Sequence, residues 1–185
     1  MDVGGLHSSL WVPALLGTYY VVLGVMHIGC DALAKQPGSL AAPLEPLQRF
    51  LSTPGNVAAT QARHSQQSWP LLALNTGVLA ALLYLSAVLF DQHVDYGVIA
   101  GVLAVAGLLN WHAFDGTKQG LLLGALCAVA APLSELVIIN VFGLWEYTRP
   151  DVFGSGGLPS WVPLCYFFYT PAVGNLSRLL ARRER

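Results

Sequence analysis

The chain has 185 residues, of which 55% are hydrophobic and only 10% charged, with a formal net charge of -1. Soluble domains carry roughly 25% charged residues, so this sequence has too little polar surface to cover a water-soluble fold. The near-neutral balance also excludes a broad basic face, and with it a nucleic-acid interface.

No Lys or Arg precedes the first apolar run, so the basic start of a cleaved signal is missing and none is expected. A stretch of about 20 apolar residues spans the hydrocarbon core of a bilayer. Five such segments follow in chain order: Leu10 to Cys30, Trp69 to Phe90, Gly97 to Ala113, Gly120 to Val141, and Ser160 to Leu176. They are continuous rather than alternating, which argues for helices and against barrel strands. The expected fold is therefore all-α: a polytopic transmembrane helical bundle of five predicted spans, in one domain covering residues 1–185.

The long 31–68 segment is expected to be a loop. Pro37, Pro43, Pro46 and Pro54 oppose a single helix there, while Leu47 to Leu51 suits a short interfacial one. Orientation follows from the basic residues. Lys35, Arg49, Arg63, Lys118, Arg178, Arg182, Arg183 and Arg185 fall on one side of a five-span chain, and Arg149 alone falls on the other. The positive-inside rule makes the first side cytosolic, so 31–68 is a cytosolic loop, the C-terminus is cytosolic and the 142–159 loop is luminal. With four or six spans the same charges would scatter.

The sites for chemistry are few. Cys30, Cys127 and Cys165 show neither metal spacing nor a disulfide framework, and they suit small apolar packing. No metal or cofactor is expected. The Asn175-Leu176-Ser177 sequon lies at the cytosolic end of the last span and is expected to be unused. His112 and the Trp and Tyr residues near span ends, including Trp11, Trp69, Trp111, Trp145, Tyr147 and Trp161, suit the membrane interface. Pro132, Pro163 and Pro171 are expected to kink their spans. The spacings Gly97 to Gly101 and Gly120 to Gly124 permit close helix contact and leave a homo-oligomer open.

Ionisable groups inside a membrane are costly and mark function. Glu135 lies about 15 residues beyond Gly120, roughly 22 Å at 1.5 Å per residue, nearer the luminal side. Tyr84 and Thr18 reach a similar depth and are candidate hydrogen-bond partners. Three roles stand open for Glu135: interhelical glue, polar anchor for a lipid or sterol hydroxyl, and catalytic acid. His27 sits toward the cytosolic end of the first span, too far along the normal to pair with it. Asn75 and Asn110 lie within about two turns of the cytosolic face, either as interhelical hydrogen-bonders or as the lining of a ligand cleft that Trp111 caps. The candidate lipid-binding residues are thus Asn75, Asn110, Trp111 and Glu135.

Four motifs occur in a set order. Leu10-Trp11-Val12-Pro13 precedes Gly17-Thr18 and Cys30-Asp31. Phe114-Asp115 comes with Lys118 and Gly120. Tyr147-Thr148 and Pro150-Asp151-Val152 lead to Ser160-Trp161-Val162-Pro163. Gly174-Asn175 is followed by Arg178. Together they resemble the Insig (insulin-induced gene) family of endoplasmic-reticulum sterol regulators, over most of the chain. The resemblance implies an endoplasmic-reticulum membrane protein that binds an oxysterol or another neutral lipid and controls a sterol-sensing-domain membrane protein or the sterol-synthesis reductase. It also implies Asp115 as a partner-binding residue, in the turn where family members meet that partner. The family has six spans, and the counterpart of the first is missing from the five counted here. Gly116-Thr117-Lys118-Gln119 also departs from the family's arginine- and serine-rich turn.

Two functions therefore compete. The first is a lipid-gated regulator, which needs only that the lipid bind the partner-competent state better than the other. No Ser-His-Asp arrangement, metal cluster or phosphate loop argues for an enzyme. The second is a small isomerase-like, lipid-modifying membrane enzyme centred on Glu135. Transport is weaker, since one buried carboxyl without inverted repeats makes a poor coupling pathway.

Overall fold

The computed structural model describes residues 2–3, 6–7, 12–35 and 44–183. Leu10, Trp11, Pro37, Pro43 and Arg185, which figure in the reading above, lie outside the described residues. Seven helices carry the fold: α1 (Val12–Lys35), α2 (Glu45–Leu51), α3 (Pro54–Gln66), α4 (Trp69–Asp91), α5 (Tyr96–Phe114), α6 (Lys118–Val137) and α7 (Val162–Arg183). A single π turn, Ile138–Phe142, extends α6. The only strands among the described residues are the two-residue antiparallel pair Asp2–Val3 and Leu6–His7.

The helices start where side chains replace missing backbone partners. Ser68 accepts from the Leu71 amide at the head of α4. Asp95 accepts from Gly97 and Val98 at α5. The Thr117 hydroxyl accepts from Gly120 at α6.

Among the described residues, four helices are long and apolar enough to cross a membrane: Leu15–Lys35, Trp69–Asp91, Tyr96–Phe114 and Lys118–Phe142. Their outward faces expose Val21, Val25, Leu74, Val105, Leu109, Val129 and Val141. A helix that is apolar all round fits a protein neighbour on one side and lipid on the other.

The fifth predicted span behaves differently. α7 is not among the apolar four, because it is their shared core. It packs against α6, α1, α5 and α4 in turn. Phe167 and Phe168 fill the centre with Leu79 of α4 and Ile99 and Leu103 of α5, while Leu23, Cys127 and Leu123 join α1 to α6. On the faces that meet its neighbours, α7 tolerates Thr170, Asn175 and Arg178 at near-zero exposure.

The described residues of the 31–68 segment are largely helical rather than a loop. Residues 31–35 complete α1, α2 overlaps the short helix expected at 47–51, and α3 was not foreseen. Pro46 and Pro54 do not block these helices, since each sits in a first turn, where the missing N–H costs nothing. α2 and α3 fold back on the α1 end of the bundle, and α3 also meets α7.

Candidate functional site

A polar feature lies at each end of the bundle. At the end carrying the 143–161 loop, a cavity of about 490 Å³ opens between α1, α6 and α7. α1 contributes Leu15, Leu16, Tyr19 and Tyr20, and α6 contributes Ala131, Ser134 and Glu135. α7 lines it with Val162, Cys165, Tyr166 and Tyr169, and the loop closes it with Leu144, Trp145 and Tyr147. α1 and α6 touch nearer mid-bundle through Leu23 and Cys127, so the space lies beyond that contact.

Glu135 is the carboxyl of this cavity and is 9% exposed. Its two oxygens lie 3.2 and 3.0 Å from the Tyr147 hydroxyl, and Tyr166 interacts with the same carboxyl. Burial, and then the neighbouring Glu135, push the Tyr147 hydroxyl well above the ordinary tyrosine range. It therefore stays protonated and acts as the donor. Trp161 Nε1 points its N–H at no partner among the described residues. An orphaned buried donor marks a place for water or a ligand group. Tyr19, Tyr166, Tyr169 and Tyr20 form a chain of ring contacts with centroids 5.4 to 6.4 Å apart. The result is an apolar, aromatic chamber with a short polar edge.

Depth along α6 placed Glu135 near this end and offered Tyr84 or Thr18 as its partner. Tyr84 is 73% exposed on the outer face of α4. The hydroxyl on Glu135 comes from Tyr147, in a loop that span-by-span counting ignores. Asn75, Asn110 and Trp111 do not line the cavity. Asn75 is fully buried with neither amide atom paired among the described residues. Asn110 reaches the Phe168 carbonyl at 3.4 Å, and Trp111 donates to the Thr117 carbonyl at 3.1 Å.

The other end is closed by a buried polar network. Arg178 on α7 donates to Asp31 on α1 through Nε at 2.7 Å and Nη2 at 3.1 Å, and its Nη1 lies 3.3 Å from Asp115. His64 on α3 contacts Asp31 at 2.9 Å. Gln119 donates to Asp31 and Thr60 and accepts from Asn56. Arg63 donates to the Asp115 carbonyl, and Asn175 links the Phe114 carbonyl to Gln67. Asp31, Asp115 and the α7 pair Asn175 and Arg178, from three distant parts of the sequence, thus lie in one network.

Asp115 has no exposed surface. Its carboxylate accepts from the Thr117 hydroxyl at 2.5 Å, so it shapes the α5–α6 turn from inside. Gly120 is required beside it, since a Cβ there would stand 2.0 Å from an Asp115 oxygen. His27 lies against Gly174 and is likewise fully buried. Among the described residues, no group of three or more His, Cys, Asp or Glu side chains could hold a metal ion.

Comparisons with family models, curated proteins and solved structures found no match.

Proposed function

We propose that this chain is an Insig-like regulator of the endoplasmic-reticulum membrane. In this reading it holds a sterol or another neutral lipid in the α1–α6–α7 cavity and, so loaded, engages a second membrane protein. The observation that carries the reading is the cavity: about 490 Å³, within the roughly 300–1,000 Å³ of small-molecule sites, mostly apolar, with one carboxyl–hydroxyl pair at its edge. A lipid with a single hydroxyl matches that lining. Its apolar body would meet Leu15, Leu16 and the tyrosine rings, and its hydroxyl would meet Glu135 and Tyr147.

The topology belongs to the same reading. α7 has 22 residues, about 33 Å at 1.5 Å per residue, which is long enough to be a fifth span inside the other four. Five spans put α2, α3 and the polar network on the basic, cytosolic side and the cavity in the luminal leaflet. A sterol-sensing-domain protein is the partner class that the motifs imply. The α5–α6 turn is its docking place, with Asp115 fixing the turn; direct contact with that carboxylate would require the network to open.

A second reading, a small lipid-modifying enzyme, gains one observation: Tyr147 supplies a proton-bearing group on Glu135. Photo-crosslinking of the purified protein separates the possibilities. A diazirine oxysterol and a diazirine diacylglycerol are each competed with unlabelled lipid, in the parent and in Glu135→Gln. Saturable labelling of α1, α6 or α7 that largely survives the substitution supports the regulator. Conversion of the lipid, lost in Glu135→Gln, supports the enzyme. Absence of saturable labelling by either probe refutes the cavity as a lipid site.

A further inference from the structure

The cavity wall formed by the 143–161 loop is held from the far side of the bundle. Within the loop, Val152 pairs with Leu158 and Asp151 accepts from the Ser160 amide; these contacts close it on itself. Leu158 and Trp161 pack on α4 and α5 in the apolar core, and the loop's polar tie to those helices, among the described residues, runs through Arg149. The Arg149 guanidinium carbon lies 3.9 Å from the centre of the Phe90 ring. One guanidinium nitrogen donates to the Phe90 carbonyl, and another meets His93 Nδ1. The Arg149 carbonyl accepts from the Tyr96 hydroxyl at 2.6 Å. Phe90 stacks on Tyr96 and packs against Trp161, itself a cavity residue.

This clasp lies two residues from Tyr147, which holds Glu135, and four from Trp145. None of the clasp residues Arg149, Phe90, His93 or Tyr96 lines the cavity. A planar guanidinium fork stacked on an aromatic ring fixes direction as well as distance, which a lysine does not reproduce.

We propose that Arg149 is a positioning residue for the cavity: by clasping the α4–α5 turn it holds Trp145 and Tyr147 in place as the wall that encloses the ligand. The inference rests on the cavity being the ligand site. It makes the α4–α5 turn, which does not itself line that cavity, a control point for access to it.

Cys165 lines the cavity and reports on its enclosure without any lipid. In a Cys30→Ala/Cys127→Ala background, alkylation of Cys165 by N-ethylmaleimide is timed by mass spectrometry. Arg149→Ala is expected to speed it by about tenfold or more, the scale of a local opening freed from several contacts. Arg149→Lys should fall between, and Tyr84→Phe should not change the rate. An Arg149→Ala protein that melts with the parent yet labels within about twofold of it overturns the proposal. If Arg149→Ala does not fold, hydrogen exchange of residues 143–161 in Arg149→Lys decides: faster exchange confined to the loop supports the clasp, and unchanged exchange overturns it. Because the thiol reaction needs no lipid, failure of the diazirine probes would count against the proposed function and not against the clasp.

Discussion

Arg178→Ala is the most informative single change at the network end. The guanidinium is fully buried between two carboxylates that are themselves 3% and 0% exposed. Removing one member of a buried ion pair costs about 3–5 kcal/mol, because the other charge stays desolvated without its partner. Here His64 and Gln119 still hold Asp31 and Thr117 still holds Asp115, which keeps the loss within that range although two carboxylates are affected. In a domain of this size, 1 kcal/mol moves the melting point by about 2–4 °C, so the fall should be about 6–20 °C. Thermal unfolding in detergent, followed by tryptophan fluorescence, measures it. A double-mutant cycle with Asp31→Asn should give a coupling of about 0.5–3 kcal/mol. A fall of under about 3 °C, or strict additivity of the two substitutions, would show that the network is solvated and that its geometry does not hold α1 to α7.

Two further tests probe packing. Gly174→Ala places a Cβ 2.8 Å from the buried His27 ring, and such overpacking should cost about 1–3 kcal/mol in the same unfolding assay. That penalty should vanish in a His27→Ala background. Tyr84→Phe, on an exposed face, should change stability by no more than about 0.5 kcal/mol and leave diazirine labelling unaltered.

Much of this architecture is legible in the sequence because lipid imposes a simple rule. An unbroken apolar run marks α1, α4, α5 and α6, and the four apolar helices overlap the first four predicted spans. The rule weakens for α7, where Thr170, Asn175 and Arg178 lower the average although the helix lies deepest. Hydropathy reports contact with lipid, and a helix walled in by protein has little. α3 was missed because its residues are polar and small, and its place is set by partners far along the chain, such as Asn56 to Gln119. Glu135 stood out as a carboxyl in an apolar run. Its partner did not, because Tyr147 reads as an interfacial aromatic. Asn75 and Asn110 lie outside the Glu135 cavity; their depth was legible and their facing was not. A sequence gives depth along a helix directly, whereas facing depends on which neighbours surround it.

The central position of α7 has a consequence for how the protein is made. α7 follows the other six helices in the chain, so α1, α4, α5 and α6 leave the ribosome before the element they surround. Until it arrives, His27, Asp31 and Asn110 lack the α7 groups they pack or pair with, and four helices have no common neighbour to pack on. Assembly is therefore a late, single event, and a nascent chain stopped before Val162 presents unpaired polar groups within its apolar helices. Such groups give quality-control machinery something to recognise, so the half-made protein should be short-lived and the finished one durable.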